Sequence, residues 1–377
     1  MTNQQPANPV VNPGATVSRP STSSIRTNIL SVDLGRTATK SCNSRDPKDV
    51  VFIPANVAKL TLETVRGGVF ESRPSDPLLD LWIEYQGQGY AFGQLAADFG
   101  AKLRVGASKV EDALTKTLAC ASYFDLKDDL VVVLGLPFLS QEEFEREKEQ
   151  IVSQLTGTHL IKFRGEEVSI NIRKVWVMPE GYGSLIWLEA QQKLDKKLSN
   201  LDFSGKSVAI VDIGHQTTDC LMIDRFRLAR GVSQSQSFGM NEFYEKIVKE
   251  IKTADPKSLD PESLALIDAV NRPKGERFFR PRGVTKPTNL DDFLPNLTEH
   301  FSRELRDRIL AWLPERVTDV VMTGGGGEFF WTDLEVLFKE AKVTAHLTKP
   351  SRPANAVGQY LYGEAQLATS FSRDRRA

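Results

Sequence analysis

Short apolar runs alternate with amphipathic segments along the chain from about residue 27 onward. In the first half, the runs that predict strands are residues 29–33, 50–54, 81–85, 130–136, 160–163, 168–172 and 175–178. Apolar residues at helical spacing predict helices over residues 109–124 and, with Ser140 as the cap, up to about residue 155. This alternation predicts an α/β fold.

A second α/β unit is predicted from about residue 207. Its strands are 208–212, 220–224 and 317–323, and its helices are 242–251 and 297–313. Residues 253–296 differ, because they hold several prolines and a basic cluster interleaved with Phe278 and Phe279. The basic residues are Arg272, Lys274, Arg277, Arg280, Arg282 and Lys286. The segment is either a surface insertion with a solvated positive face or a contact surface for an acidic partner, a neighbouring subunit or nucleic acid.

Composition narrows the class of protein. In 377 residues, 48 Lys and Arg balance 49 Asp and Glu, and the net charge of −1 excludes a chain-wide field for nucleic acid or anionic lipid. Cys42, Cys120 and Cys220 lack the spacing of a disulfide framework or a zinc site. Residues 1–26 are mostly polar and predict a disordered tail. Without a long apolar run or a secretory signal, we expect a soluble cytoplasmic protein.

Two segments, residues 33–40 and 212–219, resemble one another, and each follows a β-branched strand. Each begins with Asp, has Gly two residues later and Thr six residues after the Asp. We expect Gly35 and Gly214 to adopt φ > 0 and to bring backbone N–H groups to an anion. Hydroxyl groups for the same anion are offered by Thr37, Thr39, Thr217 and Thr218. The repeat predicts a duplicated phosphate clamp.

The acidic and basic residues of these segments fit the predicted phosphate site. Asp33 and Asp212 would face Mg²⁺ directly or through its water shell, since Mg²⁺ keeps several waters and is usually held by one or two carboxylates. Lys40 either neutralises phosphate charge or is a solvated lysine.

Three further segments carry candidate chemistry. An apolar strand is followed by four glycines at residues 324–327, which indicates either close approach of a bulky ligand or a structural turn. The fit of this segment to a dinucleotide-binding fingerprint is poor. Glu180 follows a strand and precedes a helix, so it is either a partner of the helix dipole or a carboxylate that orients an attacking water. Residues 353–358 predict a helix with Asn355 as its cap and small residues that allow close crossing of another helix, as a hinge requires.

In this order, the segments resemble those of the actin, heat-shock-chaperone and sugar-kinase ATPase superfamily. The matching segments are phosphate-1 at residues 33–40, connect-1 at 179–183, phosphate-2 at 212–219, the adenosine segment at 320–328 and connect-2 at 353–358. The resemblance spans residues 27–367 and implies two ribonuclease-H-like α/β lobes, an actin-like fold, with ATP and Mg²⁺ in the cleft between them. Strand end 134–137 and Glu180 look most like bacterial and archaeal actin-like proteins of the ParM/StbA type, which segregate plasmids.

The resemblance also implies domain limits and residue roles. It places a tail at 1–26, lobe I at 27–180, lobe II at 181–352 with an insertion at about 253–296, and a helix returning to lobe I with a basic tail at 353–377. Asp33 and Asp212 would bind the metal, and both would form the catalytic set with Glu180, which orients the hydrolytic water. The cofactor-binding residues would be Gly35, Arg36, Thr37, Thr39, Lys40, Gly214, His215, Gln216, Thr217, Thr218, Gly324, Gly325, Gly326 and Glu328.

The function implied by the resemblance is a polymerising ATPase whose filaments are regulated by ATP hydrolysis and segregate plasmids or other DNA. The expected partners are further copies in a head-to-tail filament and a DNA-binding adaptor, without direct sequence-specific nucleic acid binding and without a membrane. The alternatives are a non-polymerising ATP-binding scaffold of the same fold and a small-molecule kinase, although no motif supplies the substrate-binding base that a kinase needs.

Overall fold

The computed structural model describes residues 28–67, 74, 76–103, 108–194, 202–251, 263–281 and 283–374. The predicted tail at residues 1–26 lies outside this part of the chain. The described residues form two α/β lobes, each built on its own sheet, so the predicted fold class is confirmed.

Lobe I is built on a sheet with nine strands among the described residues. The strands are β1 (Ile29–Leu34), β2 (Ala38–Cys42), β3 (Val51–Pro54), β4 (Val57–Leu60), β5 (Trp82–Tyr85), β6 (Gln88–Phe92), β7 (Leu130–Leu136), β8 (Gly157–Phe163) and β9 (Glu166–Pro179). Their order across the sheet is β3-β2-β1-β7-β9-β8-β5-β6-β4. The helices are α1 (Leu62–Arg66), α2 (Gly93–Asp98), α3 (Lys109–Tyr123), α4 (Gln141–Leu155) and α5 (Tyr182–Leu194).

Lobe II is built on a smaller sheet. Its strands are β10 (Ser207–Ile213), β11 (Thr218–Asp224), β12 (Arg227–Leu228), β13 (Gln234–Gln236), β16 (Asp319–Thr323) and β17 (Thr344–Leu347). A separate hairpin is formed by β14 (Phe278–Phe279) and β15 (Thr288–Asn289). The helices are α6 (Met240–Glu250), α7 (Leu264–Asn271), α8 (Leu294–Trp312) and α9 (Gly324–Glu340), and the last helix of the described chain, α10 (Ser351–Asp374), returns to the lobe I sheet.

The two sheets repeat one topology at their centres. In lobe I, β1 pairs antiparallel with β2 and parallel with β7, which pairs parallel with β9. In lobe II, β10 pairs antiparallel with β11 and parallel with β16, which pairs parallel with β17. The carboxyl ends of β1 and β10 therefore lead into equivalent tight loops.

Burial explains why the central strands are continuously apolar. Every residue of β7 is buried because the strand lies in the middle of the sheet, with α3 and α4 packed on one face and α5 and α10 on the other. Ser140 caps α4 as predicted, since its Oγ accepts a hydrogen bond from the N–H of Glu143 at 3.1 Å.

The hairpin of β8 and β9 differs from the prediction of three short strands. Residues 168–172 and 175–178 belong to the single strand β9, which has 14 residues. The apolar pattern breaks at Arg173, where the register with β7 shifts, so a bulge and not a strand end causes the interruption. Strands β2, β4 and β6 were not predicted, because polar residues interrupt their apolar pattern.

Helices α5 and α10 pack on each other and on the outer face of the lobe I sheet. Trp187, Val357 and Tyr360 share a buried cluster with Ile29 and Val133. Along the chain, lobe II therefore lies between α5 and α10, two helices that both pack on the lobe I sheet.

The two helices cross where glycines remove side chains. A Cβ at Gly358 would lie in contact with the carbonyl of Gly183, which leaves no room for alanine. The predicted close crossing is present, but the prediction that Asn355 caps the helix is wrong. Helix α10 begins at Ser351, and Asn355 lies buried inside it.

The segment predicted as an insertion is largely part of lobe II. Its residues 252–262 and 282 lie outside the described chain. In the described remainder, Leu266, Val270, Phe279 and Leu290 are buried in the lobe II core. Helix α7 and the following hairpin are therefore packed on lobe II through these apolar side chains, while Phe278 and most polar residues around it are exposed. In the described parts of the chain, no helix combines the length and apolar character needed to cross a bilayer.

Candidate functional site

A cleft of about 410 Å³ lies where the loops of the two sheets meet. The predicted residues that line it are Asp33, Gly35, Arg36, Thr37, Lys40, Glu180, Asp212, Gly214, His215, Thr217, Gly324, Gly325, Gly326 and Glu328. They come from the loop after β1, the end of β9, the loop after β10 and the start of α9. Segments that are far apart in sequence therefore converge on one site.

Three predicted residues, Thr39, Gln216 and Thr218, are not in this lining. Thr39 lies in β2 and its buried hydroxyl has no partner among the described residues. The Thr218 hydroxyl donates to the carbonyl of Phe238 at 2.6 Å. Because side chains alternate along a strand, Thr39 and Thr218 point away from the face that carries the cleft.

Both loops are tight, but not in the predicted way. The N–H of Gly35 donates to the carbonyl of Asp33 at 2.9 Å, and the N–H of Gly214 donates to the carbonyl of Thr217 at 2.8 Å. Neither glycine has the predicted positive φ. Glycine is needed for space, since a Cβ at Gly35 would lie 2.4 Å from the carbonyl oxygen of Ala38.

Asp33 and Lys40 face each other across the first hairpin. Lys40 Nζ donates to Asp33 Oδ2 at 2.7 Å, and the carboxylate is almost fully buried. Burial acts to raise the pKa of Asp33, but Lys40 and Lys109 outweigh it and hold that pKa below its usual value. Burial acts to lower the pKa of Lys40, but Asp33 and Asp212 outweigh it and raise that pKa. Lys40 is thus bound inside the site and is not a solvated lysine.

The second hairpin has the opposite charge at the equivalent position. Asp212 faces Asp219 across the strands, as Asp33 faces Lys40. Burial raises the pKa of Asp212 to about 7, with Asp219 adding to the increase and Lys40 opposing it. Burial also raises the pKa of Asp219, whose Oδ2 accepts from Thr217 at 3.1 Å while its buried Oδ1 has no partner among the described residues.

Glu180 forms a buried ion pair with Lys109. The N–H of Glu180 donates to the carbonyl of Leu136 at 2.8 Å, which holds the carboxylate at the end of β9. Burial raises the pKa of Glu180 to about 8, a shift that Lys109 only partly offsets. Glu180 is therefore not simply a partner of the α5 dipole, because its side chain lies in the cleft opposite a lysine from α3.

Lys109 was not predicted as a site residue. It is the first residue of α3, after Ser108, whose Oγ accepts from the N–H of Val110 at 3.2 Å. Nothing in its local sequence distinguishes it from a solvated lysine. Its significance depends on contact with Glu180, which lies 71 residues away in sequence.

The four-glycine run starts α9 and lies against the loop after β10. Gly324 has φ +82°, and a Cβ there would lie 2.2 Å from Asp212 Oδ1. A Cβ at Gly326 would lie 2.3 Å from the Ile213 side chain. Only Gly325 among these three has open space where a Cβ would be. Close packing between the chain's own segments explains Gly324 and Gly326, and Gly325 is the position that a ligand can approach.

One group of lining residues, which we call the aromatic wall after Tyr244 and Phe329, was also not predicted. Its residues are Met240, Tyr244, Ile267, Asn271, Phe329 and Arg352. His215 lies beside this wall, with its ring 5.8 Å from that of Tyr244. Burial lowers the pKa of His215 to about 4, so the ring is neutral at neutral pH. Helix α7 supplies two of the wall residues, which is why a prediction of a surface insertion concealed them.

The donor set fits a divalent cation together with a phosphate-bearing ligand. Three buried carboxylates, those of Asp33, Glu180 and Asp219, and the half-buried carboxylate of Asp212 are accompanied at the centre by Lys40 and Lys109. The unpartnered Asp219 Oδ1 and the open space at Gly325 are the local observations that support this fit. Among the described residues no group of three or more His, Cys, Asp or Glu side chains has the arrangement of a metal site. Mg²⁺ typically uses one or two carboxylates together with waters and phosphate oxygens.

Comparison with protein families decides the classification. The profile of the actin-like proteins' N-terminal domain matches residues 31–183, and that of the archaeal actin homologue MreB-like C-terminal domain matches residues 210–336. The chain belongs to the actin-like proteins. No curated protein sequence matches this actin-like chain.

Solved structures show the same fold at low sequence identity. Actin-like protein Alp7A is 18% identical, with a TM-score of 0.69 over 92% of this chain and 98% of Alp7A. The archaeal actin homologue Ta0583 in complex with ADP is 17% identical, with a TM-score of 0.67 over 90% of this chain and 100% of Ta0583. A subunit of a 15-stranded ParM filament from Clostridium botulinum is 18% identical, with a TM-score of 0.64 over 90% and 100% of the two chains. The predicted actin-like fold is confirmed.

Proposed function

We propose that this actin-like protein is an ATPase that polymerises with ATP, forms filaments regulated by ATP hydrolysis and segregates plasmids or other DNA. The observation that carries the proposal is the convergence of Asp33, Glu180 and Asp212, from both lobes, on one cleft. A ligand held by both lobes favours the arrangement in which they are close, and this links the contents of the cleft to the shape of the subunit.

The residues of the cleft fit ATP and Mg²⁺ in distinct roles. Asp33 and Asp212 would hold the metal, directly or through its waters. Backbone N–H groups near Gly35 and Gly214, with the hydroxyls of Thr37 and Thr217, would bind phosphate oxygens. Arg36 and Lys40 would offset phosphate charge. The nucleoside would lie along α9 at Gly325 and Glu328, against the aromatic wall. When bound, ATP supplies the phosphoanhydride bond and Mg²⁺ offsets its charge.

Glu180 would orient the attacking water. Its carboxylate accepts a hydrogen bond from that water and can take its proton, and its raised pKa of about 8 suits such a base near neutral pH. Lys109 holds the carboxylate in place and favours its ionised form. Burial of both side chains limits competing contacts with bulk water.

Assembly is supported by the fold and by its relatives. The closest approach of α5 and α10, at Gly183 and Gly358, is a suitable pivot between the lobes. One matching structure is a subunit of a ParM filament. Contacts between different surfaces of identical subunits produce open filaments unless the rotation closes a ring. We propose that the protein works in the cytoplasm and reaches DNA through an adaptor, because its net charge of −1 provides little general attraction to DNA.

Sedimentation and phosphate release with ATP test this proposal. We expect the wild-type protein to pellet with Mg²⁺ and ATP and to release phosphate. Glu180→Gln should still pellet, with phosphate release reduced by about 10²-fold or more. Glu142→Gln, a change on the exposed face of α4, is the matched control and should behave as wild type. Turnover without pelleting at any protein concentration would contradict polymerisation, and absence of both would contradict the whole proposal.

A further inference from the structure

Helix α10 carries a buried glutamine without a hydrogen-bond partner. Gln359 is fully buried, and neither its amide nitrogen nor its amide oxygen has a partner among the described residues. Burial of an unpaired amide costs free energy, which an apolar side chain of similar size would avoid. The amide therefore does not stabilise this state of the protein. An unpaired buried group of this kind calls for an explanation, such as a partner that it binds in another state of the site.

The Gln359 amide lies beside Glu180, the proposed base. A Cβ at Gly135 of β7 would lie 2.7 Å from Gln359 Nε2 and 3.3 Å from Glu180 Cγ. The amide nitrogen is therefore at most 6.0 Å from that methylene carbon, the sum of the two distances. Gly135 does not have a positive φ, so glycine is needed there for space and not for backbone conformation. The Gln359 amide and the Glu180 side chain share the space that it leaves.

A second amide on α10 shows what this face of the helix can do. Asn355 lies four residues before Gln359, so the two side chains are on the same face of the helix. The Asn355 side chain donates a hydrogen bond to the carboxylate of Asp33. Asp33 and Glu180 are both carboxylates of lobe I that line the cleft. The helix thus places one amide near each carboxylate, and of these two amides only that of Asn355 is engaged in this structure.

Lys109 holds the Glu180 carboxylate in this structure. Lys109 also lines the cleft, so its ammonium group attracts the phosphate of a bound nucleotide as well as Glu180. Sharing this charge weakens the ion pair and leaves the carboxylate short of hydrogen-bond donors. The Gln359 amide is already buried beside Glu180, so it can donate without a further desolvation cost. Helices α3 and α10 pack on opposite faces of the lobe I sheet, so the two donors come from opposite faces.

We propose that Gln359 is a positioning residue for Glu180 in the nucleotide-bound protein, with its Nε2 donating to the carboxylate directly or through one water. The carboxylate is then held by Gln359 and by the remaining attraction of Lys109 in the orientation that the attacking water requires. Helix α10 and strand β9 both pack within lobe I, so rotation of the Gln359 side chain is sufficient and the lobes need not move. The inference rests on the proposed function, since it assigns a residue to the orientation of the base.

NMR of the glutamine side-chain amides tests the contact without relying on hydrolysis. The full chain, isotopically labelled at these amides, is titrated with Mg²⁺ and an ATP analogue that cannot be hydrolysed, at a protein concentration too low for pelleting. The Gln359 signal is identified by its absence from the spectrum of Gln359→Met. We expect this signal to shift when the analogue binds to the wild-type protein, but not when it binds to Glu180→Ala. The signal of Gln366, on the same helix but outside the cleft lining, should not shift. If the analogue binds and the Gln359 signal stays unchanged, as with a permanently bound water, the inference is wrong.

Gln359→Met provides the second arm, because methionine has nearly the same length but no amide. Phosphate release at saturating ATP should fall about tenfold, while the dissociation constant of the analogue stays within about twofold of the wild-type value. The midpoint of thermal denaturation without nucleotide should rise by about 2 °C, because two unpaired buried polar groups are removed. Gln366→Met is the matched control on the same helix and should leave phosphate release unchanged.

The outcomes separate this inference from the proposed function. If stability, nucleotide affinity and phosphate release all fall together in Gln359→Met, the glutamine is merely structural and the inference is wrong. Gln359→Leu repeats the comparison with another apolar shape if the methionine variant does not fold. Wild-type pelleting together with normal phosphate release by Gln359→Met rejects the positioning role alone. A shift of the Gln359 signal without any phosphate release supports the contact and rejects the proposed ATPase activity.

Discussion

At the scale of single residues, the cleft depends on Lys109. Its side chain is 8% exposed and that of Glu180 is 7% exposed, so each is the principal counter-charge of the other in a nearly dry environment. Removal of Lys109 takes away the charge that opposes the rise in the pKa of Glu180, so the buried carboxyl must take up a proton near neutral pH, which costs more than loss of a solvated pair. The contact with Glu180 therefore makes Lys109, which looks in sequence like any lysine at a helix start, a part of the site.

We expect Lys109→Met to lower the free energy of unfolding by about 3 kcal/mol, because Glu180 remains buried without its partner. Chemical denaturation without nucleotide measures this change. Lys162→Met removes an exposed lysine from a 3.6 Å pair and should cost less than about 1 kcal/mol. The Lys109→Met/Glu180→Gln double variant should recover part of the loss. An effect no larger than that of Lys162→Met would show that the pair contributes little.

The candidate site was predictable where its residues share a local pattern. The repeated Asp-x-Gly loops pointed to Asp33 and Asp212, which both line the cleft, because each loop follows a strand. Thr39 and Thr218 were misplaced because motif matching ignores side-chain alternation along β2 and β11. Lys109 and Tyr244 were missed because only tertiary contacts bring them to the cleft. The spacing of residues in a motif predicts where a loop lies, whereas the set of side chains that line the cleft depends on packing between segments that are distant in sequence.

At the scale of secondary-structure elements, the crossing of α5 and α10 is the tightest constraint. The two helices contact through Gly183 and Gly358, so their axes lie closer than side chains would allow. Packing of this kind fixes where the helices touch while leaving few side chains to interlock. That combination suits a pivot that must keep its position as the lobes rotate.

We expect Gly358→Ala to lower the free energy of unfolding by about 1–3 kcal/mol, since the new methyl group overlaps the Gly183 carbonyl and forces the helices apart. Thermal or chemical denaturation measures it. Gly205→Ala is the control, because a Cβ there meets nothing within 4 Å and φ is not positive. Equal stability of the two variants would mean that the helices separate without cost and that the crossing is not a constraint.

Much of the element order could be predicted from apolar periodicity. The buried strand β7 and helix α3 were assigned nearly to the residue, because continuous burial and helical spacing both leave clear patterns. Strand β9 was divided because the bulge at Arg173 interrupts the alternation of side chains. The role of α7 was missed because a basic, proline-containing sequence resembles a surface loop, while its few apolar residues are buried in lobe II.

At the scale of the whole molecule, the cleft joins two lobes that also meet in a shared buried cluster, which includes Val208 and Val321 of lobe II and Leu185 of lobe I. Lobe II has its own buried cluster, which includes Phe243, Phe301 and Phe330. A ligand that contacts both lobes therefore adds its binding energy to the stability of their arrangement. This coupling can be measured even in a protein that does not assemble.

We expect Mg²⁺ and ADP to raise the free energy of unfolding by about 2.7 kcal/mol at a concentration one hundred times the dissociation constant, because only the folded protein binds. Thermal unfolding at low protein concentration measures the shift, and a chelator should reduce it. Asp212→Asn should weaken the Mg²⁺-dependent part. Asp202→Asn, an exposed carboxylate outside the cleft, should not. Absence of stabilisation by any nucleotide would contradict the assignment of the cleft.

The two hairpins carry different charges, so the electrostatic field differs between the two walls of the cleft. The same position, seven residues after the first aspartate of each loop, is Lys40 in one lobe and Asp219 in the other. One wall is therefore close to neutral, and the other concentrates negative charge that burial makes costly. The strands at the centres of the two sheets thus repeat one topology, but the electrostatic field in the cleft does not share that symmetry. For a polyanion bound with its counter-ion, the unequal charges of the two walls would favour one orientation in the cleft over the reverse one.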